Sequence, residues 1–401
     1  MRSRESEARA TGATVAVAGV ASALAVFAVF LPADRDHRAA GRGVSPGLRL
    51  ELGPGPGIGA FARATEVRPF VLPADHGPHL EYQTEWWYYT GNLTAADGSR
   101  FGFQLTFFRR GLSPGPPPKD GLATNQVYFA HLAITDVARG AHVGVERFAR
   151  GAGGLAGATG EPFAVWLEDW RVEPRNADGS AVRLVARDAA TGLSMDLDLE
   201  ARKPLVAHGD RGLSPKSEEP GNASFYVGYT RLAARGRIAG GGRETEVSGE
   251  AWFDHEWSTS ALGPGAVLWD WFSLQLDDGR ELMYFQIRRD DGSTESASGG
   301  TLVERDGHAR RLPRDGVLIE VLGRWTSPDT RTTYPSRWRL RVPDERIDVV
   351  VEPWLEAQEM RTSFVYWEGA VRVTGVTGRR GVSGHGYVEL TGYFRPIQGG
   401  V

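Results

Sequence analysis

The sequence predicts an all-β protein: two tandem antiparallel β-barrel domains behind an N-terminal hydrophobic helix. Three observations lead there. Beyond residue 31 there is no long apolar stripe of period 3.6; short alternating segments recur instead, separated by Asp-Gly or Gly-rich turns. Two tryptophan-rich hairpins, one in each half, are centred on Asp97-Gly98 and Asp278-Gly279. The chain has 401 residues, a length that suits two domains better than one.

The elements follow in order. Thr14 to Leu31 is an unbroken run of apolar or small residues, 18 long, at the lower limit for a membrane span. Arg2, Arg4 and Arg9 precede it and Arg35, Arg38 and Arg42 follow, so flanking charge hardly selects an orientation. No strong small-x-small cleavage site follows it directly. Residues 1–31 are therefore read as a signal peptide or an uncleaved signal anchor, and the body as extracytoplasmic: periplasmic or of the cell envelope, membrane-anchored or secreted. Residues 32–64, rich in Gly, Pro, Ala and Arg, read as a flexible tether. The first barrel domain is expected over 65–250 and the second over 251–398. A border between 235 and 262 is suggested by Gly240-Gly241-Gly242 and the aromatic block after it.

The second hairpin, Leu268 to Arg289, is the clearest. A two-residue turn at Asp278-Gly279 would set Trp269 opposite Arg288 and Trp271 opposite Gln286. Trp269, Trp271, Ser273 and Gln275 would then share a face with Gln286, Tyr284 and Leu282. Aromatic rings mixed with hydrogen-bonding groups suit the wall of a pocket for a largely apolar ligand. A one-residue bulge would exchange part of that face. The first hairpin, Thr84 to Arg110, has the same plan, including a glutamine (Gln104) in its second strand, which suggests two related units.

Composition excludes several functions. Net charge −4 and pI near 6.2 provide no field for nucleic acid. The absence of cysteine removes disulfides, thiolate catalysis and thiolate metal sites. Gly111-Leu112-Ser113-Pro114-Gly115 matches a hydrolase pattern, but the residue after serine must supply an oxyanion-hole N–H and Pro114 has none. Gly151-x-Gly153-x-x-Ala156 lacks the βαβ context of a dinucleotide site.

What remains is carboxylate chemistry. In AWFDHEWS (251–258), strand alternation puts Trp252, Asp254 and Glu256 on one face and Phe253, His255 and Trp257 on the other. Asp254, His255 and Glu256 are candidate catalytic groups, with Glu85 of TEWWYY as a second candidate acid. The competing reading is that these carboxylates pair with arginines structurally. His-Glu here is not a zinc motif, because no second histidine follows at i, i+4. No metal or cofactor is expected. Ligand-contact candidates are Trp86, Trp87, Tyr88, Gln104, His131, Trp252, Trp269, Trp271, Tyr284 and Gln286. For His131, alone among apolar residues mid-strand, a satisfied core residue is the favoured reading over a ligand contact. Glu368, in YWEGAVRV, is either pocket wall or an arginine partner.

Six ordered motifs are similar to one family: HLEYQTEWWYYTGNL (79–93), FGFQLTFFR (101–109), YFAHLAITDV (128–137), GEAWFDHEWS (249–258), WDWFSLQLDDGRELMYFQIR (269–288) and YWEGAVRVTG (366–375). Together they resemble the AttH-like proteins, which include hydroxyneurosporene synthase, the carotenoid 1,2-hydratase. The resemblance covers roughly residues 65 to 396. It implies two lipocalin-like β-barrels and, in catalytic members, addition of water to an isoprenoid alkene without metal or organic cofactor. The expected partner is a hydrophobic small molecule, with the membrane engaged through the N-terminal segment. Two functions stay open, a cofactor-independent hydratase (a hydro-lyase) and a non-catalytic carrier of lipids or other hydrophobic molecules.

Overall fold

In the computed structural model, residues 61–118, 121–259, 262 and 265–397 are described. The hydrophobic segment and most of the expected tether lie outside them. The body starts earlier than residue 65. Phe61 and Ala64 are buried, and Ala62 N donates to Glu81 O at 2.9 Å.

Thirteen strands form the first sheet: β1 (Thr84–Ala95), β2 (Arg100–Gly111), β3 (Gln126–Asp136), β4 (Ala141–Arg150), β5 (Ala156–Gly160), β6 (Phe163–Leu167), β7 (Trp170–Pro174), β8 (Ala181–Asp188), β9 (Leu193–Ala201), β10 (Val206–Ala207), β11 (Leu213–Pro215), β12 (Ala223–Gly240) and β13 (Arg243–Ser258). Ten form the second: β14 (Ala266–Leu276), β15 (Glu281–Arg289), β16 (Gly299–Val303), β17 (Ala309–Pro313), β18 (Leu318–Thr326), β19 (Thr333–Val342), β20 (Ile347–Pro353), β21 (Glu359–Arg361), β22 (Val365–Thr377) and β23 (Arg380–Thr391). The expected border at 250/251 would cut β13 in two. That strand runs unbroken because all of it pairs within the first sheet, and the second sheet begins at Ala266.

The first sheet runs β4-β3-β2-β1-β13-β12-β9-β8-β7-β6-β5, with β5 and β6 coming back against β2, β3 and β4, so it nearly closes into a barrel. The second runs β17-β16-β15-β14-β23-β22-β20-β19-β18 and forms a half-barrel. In each, the first strand of the unit pairs with the last, β1 with β13 and β14 with β23. The resemblance between the two hairpins is thus a resemblance of whole units.

Burial follows from this packing. β9 alternates, with Leu193, Met195, Leu197 and Leu199 in the first barrel core and polar residues between them outside. β1, β2, β13, β14 and β15 are buried on both faces over most of their length. One face meets the strand's own core, and the other meets the neighbouring sheet, where Tyr88, Tyr226, Trp252, Trp271, Met283, Phe285 and Tyr387 pack together. Gly102 marks one close approach of the sheets, since a Cβ there would lie 2.6 Å from Ala370 Cβ.

Both hairpins turn through three residues rather than two. Ala95 N donates to Ser99 O and Gly98 N to Ala95 O; Leu276 N donates to Arg280 O and Gly279 N to Leu276 O. Gly98 and Gly279 take φ of 84° and 85°, the left-handed position of a bulged three-residue loop. That extra residue shifts the expected register by one: Trp269 faces Ile287, Trp271 faces Phe285 and Gln275 faces Glu281. Tyr284 and Gln286 therefore lie on the opposite face from the tryptophans. Tyr284 belongs to the second core, and Gln286 Nε2 donates to Thr294 Oγ1.

Candidate functional site

Between the sheets lies a cavity of about 210 Å³, with walls from β1, β2 and β13 on one side and β14, β22 and β23 on the other. Trp86, Tyr88, Trp269, Trp271, Phe364 and Tyr366 supply its aromatic surface, and Gln104 one amide. Besides the phenols of Tyr88 and Tyr366, its titratable groups are Asp254, Glu256, Glu368, Glu389 and Lys216.

Alternation along β13 and β1 decides which predicted groups reach it. Asp254 and Glu256 pair with Tyr88 and Trp86 and share their face. Asp254 is buried; it accepts from Tyr226 Oη at 2.5 Å and from Trp252 Nε1 at 2.8 Å. Trp271 Nε1 donates in turn to Tyr226 Oη at 3.2 Å. Burial and the nearby Glu256 outweigh these donors and Lys216, and hold the Asp254 carboxyl well above the usual carboxylate range. Glu256 lies 3.0 Å from Lys216 Nζ and also accepts from Ser224. Lys216 itself sits 4.6 Å from the Phe285 ring centroid and 4.9 Å from that of Trp269. Trp252 acts from behind the wall through its hydrogen bond. His131 is likewise behind it, with Nδ1 2.7 Å from Tyr366 Oη and Nε2 2.9 Å from Glu146 Oε1.

Glu85, Trp87 and His255 fall on the other face of the same strands, inside the first barrel. Glu85 is fully buried. Its Oε2 accepts from Arg109 Nε at 2.8 Å, and its Oε1 lies 2.8 Å from His79 Nδ1 and 2.9 Å from His255 Nε2. Burial would raise its pKa, but the charges of Arg109 and His79 and the imidazole hydrogen bonds hold it well below the ordinary value. Burial pulls His255 down, against Glu85. His79 is raised: burial opposes this, and the Glu85 charge with the Asp75 and Glu85 hydrogen bonds overcomes it. His79, Glu85 and His255 bring three ligand-type atoms within 4.8 Å of one another. With Arg109 on one oxygen and two imidazoles on the other, both Glu85 oxygens are paired in an ion-pair network, and His255 Nδ1 is left without a partner. Glu85 is therefore no proton donor to the cavity.

Two further carboxyls line the cavity: Glu368, read from the sequence as pocket wall or arginine partner, and Glu389, which the sequence did not single out. Glu368 accepts from Tyr88 Oη at 2.5 Å, while its buried Oε2 has no partner. Burial and the charge of Glu389 push it well above the usual range. Glu389 accepts from Thr391 Oγ1 at 2.9 Å and is raised to about 7 by burial, with Glu256 adding to the effect. Glu368 had a local signal in its aromatic neighbours; Glu389, in GYVELTGY, had none.

The model of the AttH-like family matches residues 63–393. The chain belongs to the AttH-like family. A crystal structure of a putative AttH from Nitrosomonas europaea is 33% identical with TM-score 0.74, covering 84% of this chain and all of that one. Kievitone hydratase from Nectria haematococca is 15% identical with TM-score 0.62, over 82% of this chain and 97% of that one. CghA with Sch210972 is 14% identical with TM-score 0.50, over 87% and 99%. The latter two share the fold. No curated protein sequence matches the chain.

Proposed function

We propose that this AttH-like protein is a cofactor-independent hydratase of the cell envelope, adding water to an alkene of an isoprenoid or similar lipid. The observation that carries the reading is Asp254, a buried carboxyl that burial holds well above the usual carboxylate range and that borders an aromatic cavity. An unactivated alkene needs a proton donor that stays protonated near neutrality, and burial supplies one. Asp254 gives its proton to one alkene carbon, the π pair forming the new C–H bond. The cation left on the other carbon is held by the faces of Trp86, Trp269 and Trp271, whose quadrupoles stabilise positive charge without bonding to it. Water adds to that carbon and releases a proton to a carboxylate. The shared fold with kievitone hydratase supports the same reading.

Asp254→Asn is expected to lower hydration of an isoprenoid alkene by at least ~100-fold while leaving its affinity within about twofold. Unchanged turnover would overturn the assignment. One observation favours a non-catalytic carrier instead: Glu256 is paired with Lys216, and Glu85 with Arg109, so those carboxylates serve as structural ion pairs. A carrier binds the same lipids but returns them chemically unaltered after prolonged incubation.

A further inference from the structure

We propose that Glu368 and Glu389 form a proton-sharing dyad that takes the proton from the attacking water, with Tyr366, His131 and Glu146 as its relay to solvent. The water-activating role rests on the hydratase reading; the proton sharing does not.

Geometry makes the dyad. Glu368 on β22 and Glu389 on β23 are direct cross-strand partners, and both line the cavity. Like charges placed so cannot both ionise cheaply, so the pair holds one proton near neutrality. The unpartnered, buried Oε2 of Glu368 is the second sign, since an unpaired oxygen in a buried site costs far more as part of a charged carboxylate than as part of a neutral carboxyl. The groups facing Glu389 are few. On β23 they are Thr391 and Tyr387; from β22 come Glu368 and Tyr366, from β1 Tyr88, and from β13 Asp254 and Glu256. The one cation on the cavity wall, among the described residues, is Lys216, already 3.0 Å from Glu256. Nothing in that set neutralises Glu389.

The reaction requires such a pair. After one turnover Asp254 has lost a proton to carbon, and the water's oxygen has formed the C–O bond and shed a proton to Glu389. Acid and base are different residues, so the site resets only when Glu389 loses that proton and Asp254 regains one from solvent. A chain of polar groups leads from the dyad to the surface. Tyr366 lines the cavity beside Glu368 on β22, Tyr366 Oη is 2.7 Å from His131 Nδ1, and His131 Nε2 is 2.9 Å from the partly exposed Glu146. His131 is thus a positioning residue for proton return, acting through Tyr366.

Infrared titration of the carboxylic C=O bands, without any substrate, tests the dyad. The unmodified protein is expected to show a transition at about 7. Glu389→Gln should abolish it and move the transition of the remaining partner to lower pH. If Glu389→Gln fails to fold, Glu389→Asp should displace the same transition. Transitions that do not respond to each other overturn the dyad. With an isoprenoid alkene as probe, Glu389→Gln should lower turnover ~100-fold at unchanged affinity, and retained turnover overturns the water-activating role. His131→Asn should slow turnover and make it rise with the concentration of a small buffer acid, a rescue that a merely structural histidine would not show. Should the unmodified protein hydrate no alkene, the hydratase reading fails while the infrared result still decides the dyad.

Discussion

Replacing Glu85 by glutamine separates its structural role from a catalytic one. The substitution conserves volume, so no cavity term enters, and what is lost is charge. Arg109 is fully buried, and its other donors go to Gln126 Oε1, His79 O and Tyr82 O, all at 2.8 Å. Without Glu85 the guanidinium is buried with no anion beside it, and His79 keeps only Asp75, 3.1 Å from its Nε2. Breaking one side of a buried pair typically costs about 3–5 kcal/mol. The pH window follows from the two shifts. Glu85 is depressed, so its contribution is complete above the ordinary glutamate value of 4.5 and is lost as pH falls through the folded value. His79 is raised, so its contribution is complete below 6.5 and is lost as pH rises through its folded value. The gap between wild type and Glu85→Gln should therefore be widest between 4.5 and 6.5. Urea denaturation at a series of pH values measures it. A gap below about 1 kcal/mol in that window, typical of an exposed pair, would refute the burial argument. Lost ligand affinity in a folded Glu85→Gln protein would refute its placement away from the cavity.

Other perturbations probe other parts of the structure. Glu389→Gln should stabilise the fold at pH 8 and not at pH 4, because a raised carboxyl costs stability only where the unfolded chain has already ionised; parallel urea curves at both pH values would contradict this. Gly279→Ala, at φ 85°, should cost about 1–2 kcal/mol, whereas a cost near zero would mean that the three-residue turn is wrong. Gly102→Ala should cost about 1–3 kcal/mol and weaken ligand binding, because its methyl would press on Ala370; undiminished stability would show that the sheets approach less closely. Lys216→Gln, which removes a cation that pulls Asp254 down, should shift ionisation of a cavity carboxyl to higher pH in an infrared titration.

Strand character and tandem organisation were legible because period-2 patterns and Asp-Gly turns are local signals. The register was not, since Asp277-Asp278-Gly279 fits a two-residue or a three-residue turn until the hydrogen bonds are seen. That single residue decided whether Tyr284 and Gln286 reached the ligand side. Alternation also limits TEWWYY: Glu85 and Trp87 must point away from Trp86 and Tyr88, so the four could never share one cavity. Asp254 was legible because AWFDHEWS concentrates its chemistry in consecutive residues. Glu389, Tyr226 and Lys216 were not: Tyr226 and Glu389 meet Asp254 and Glu368 only once the register of the long β12–β13 and β22–β23 hairpins is known, and Lys216 reaches Glu256 from outside the strands.

The two-sided burial of β1 and β14 has a consequence for how affinity is regulated. Each wall of the cavity belongs to a different sheet, so a ligand lodged there bridges two surfaces that must already be pressed together. Ligand binding and docking of the sheets are then one linked equilibrium. A ligand in the seam should act as a clamp, slowing hydrogen exchange on β1 and β14 together, and a change that loosens the seam should lower affinity without touching the ligand. Neither sheet alone lines the cavity.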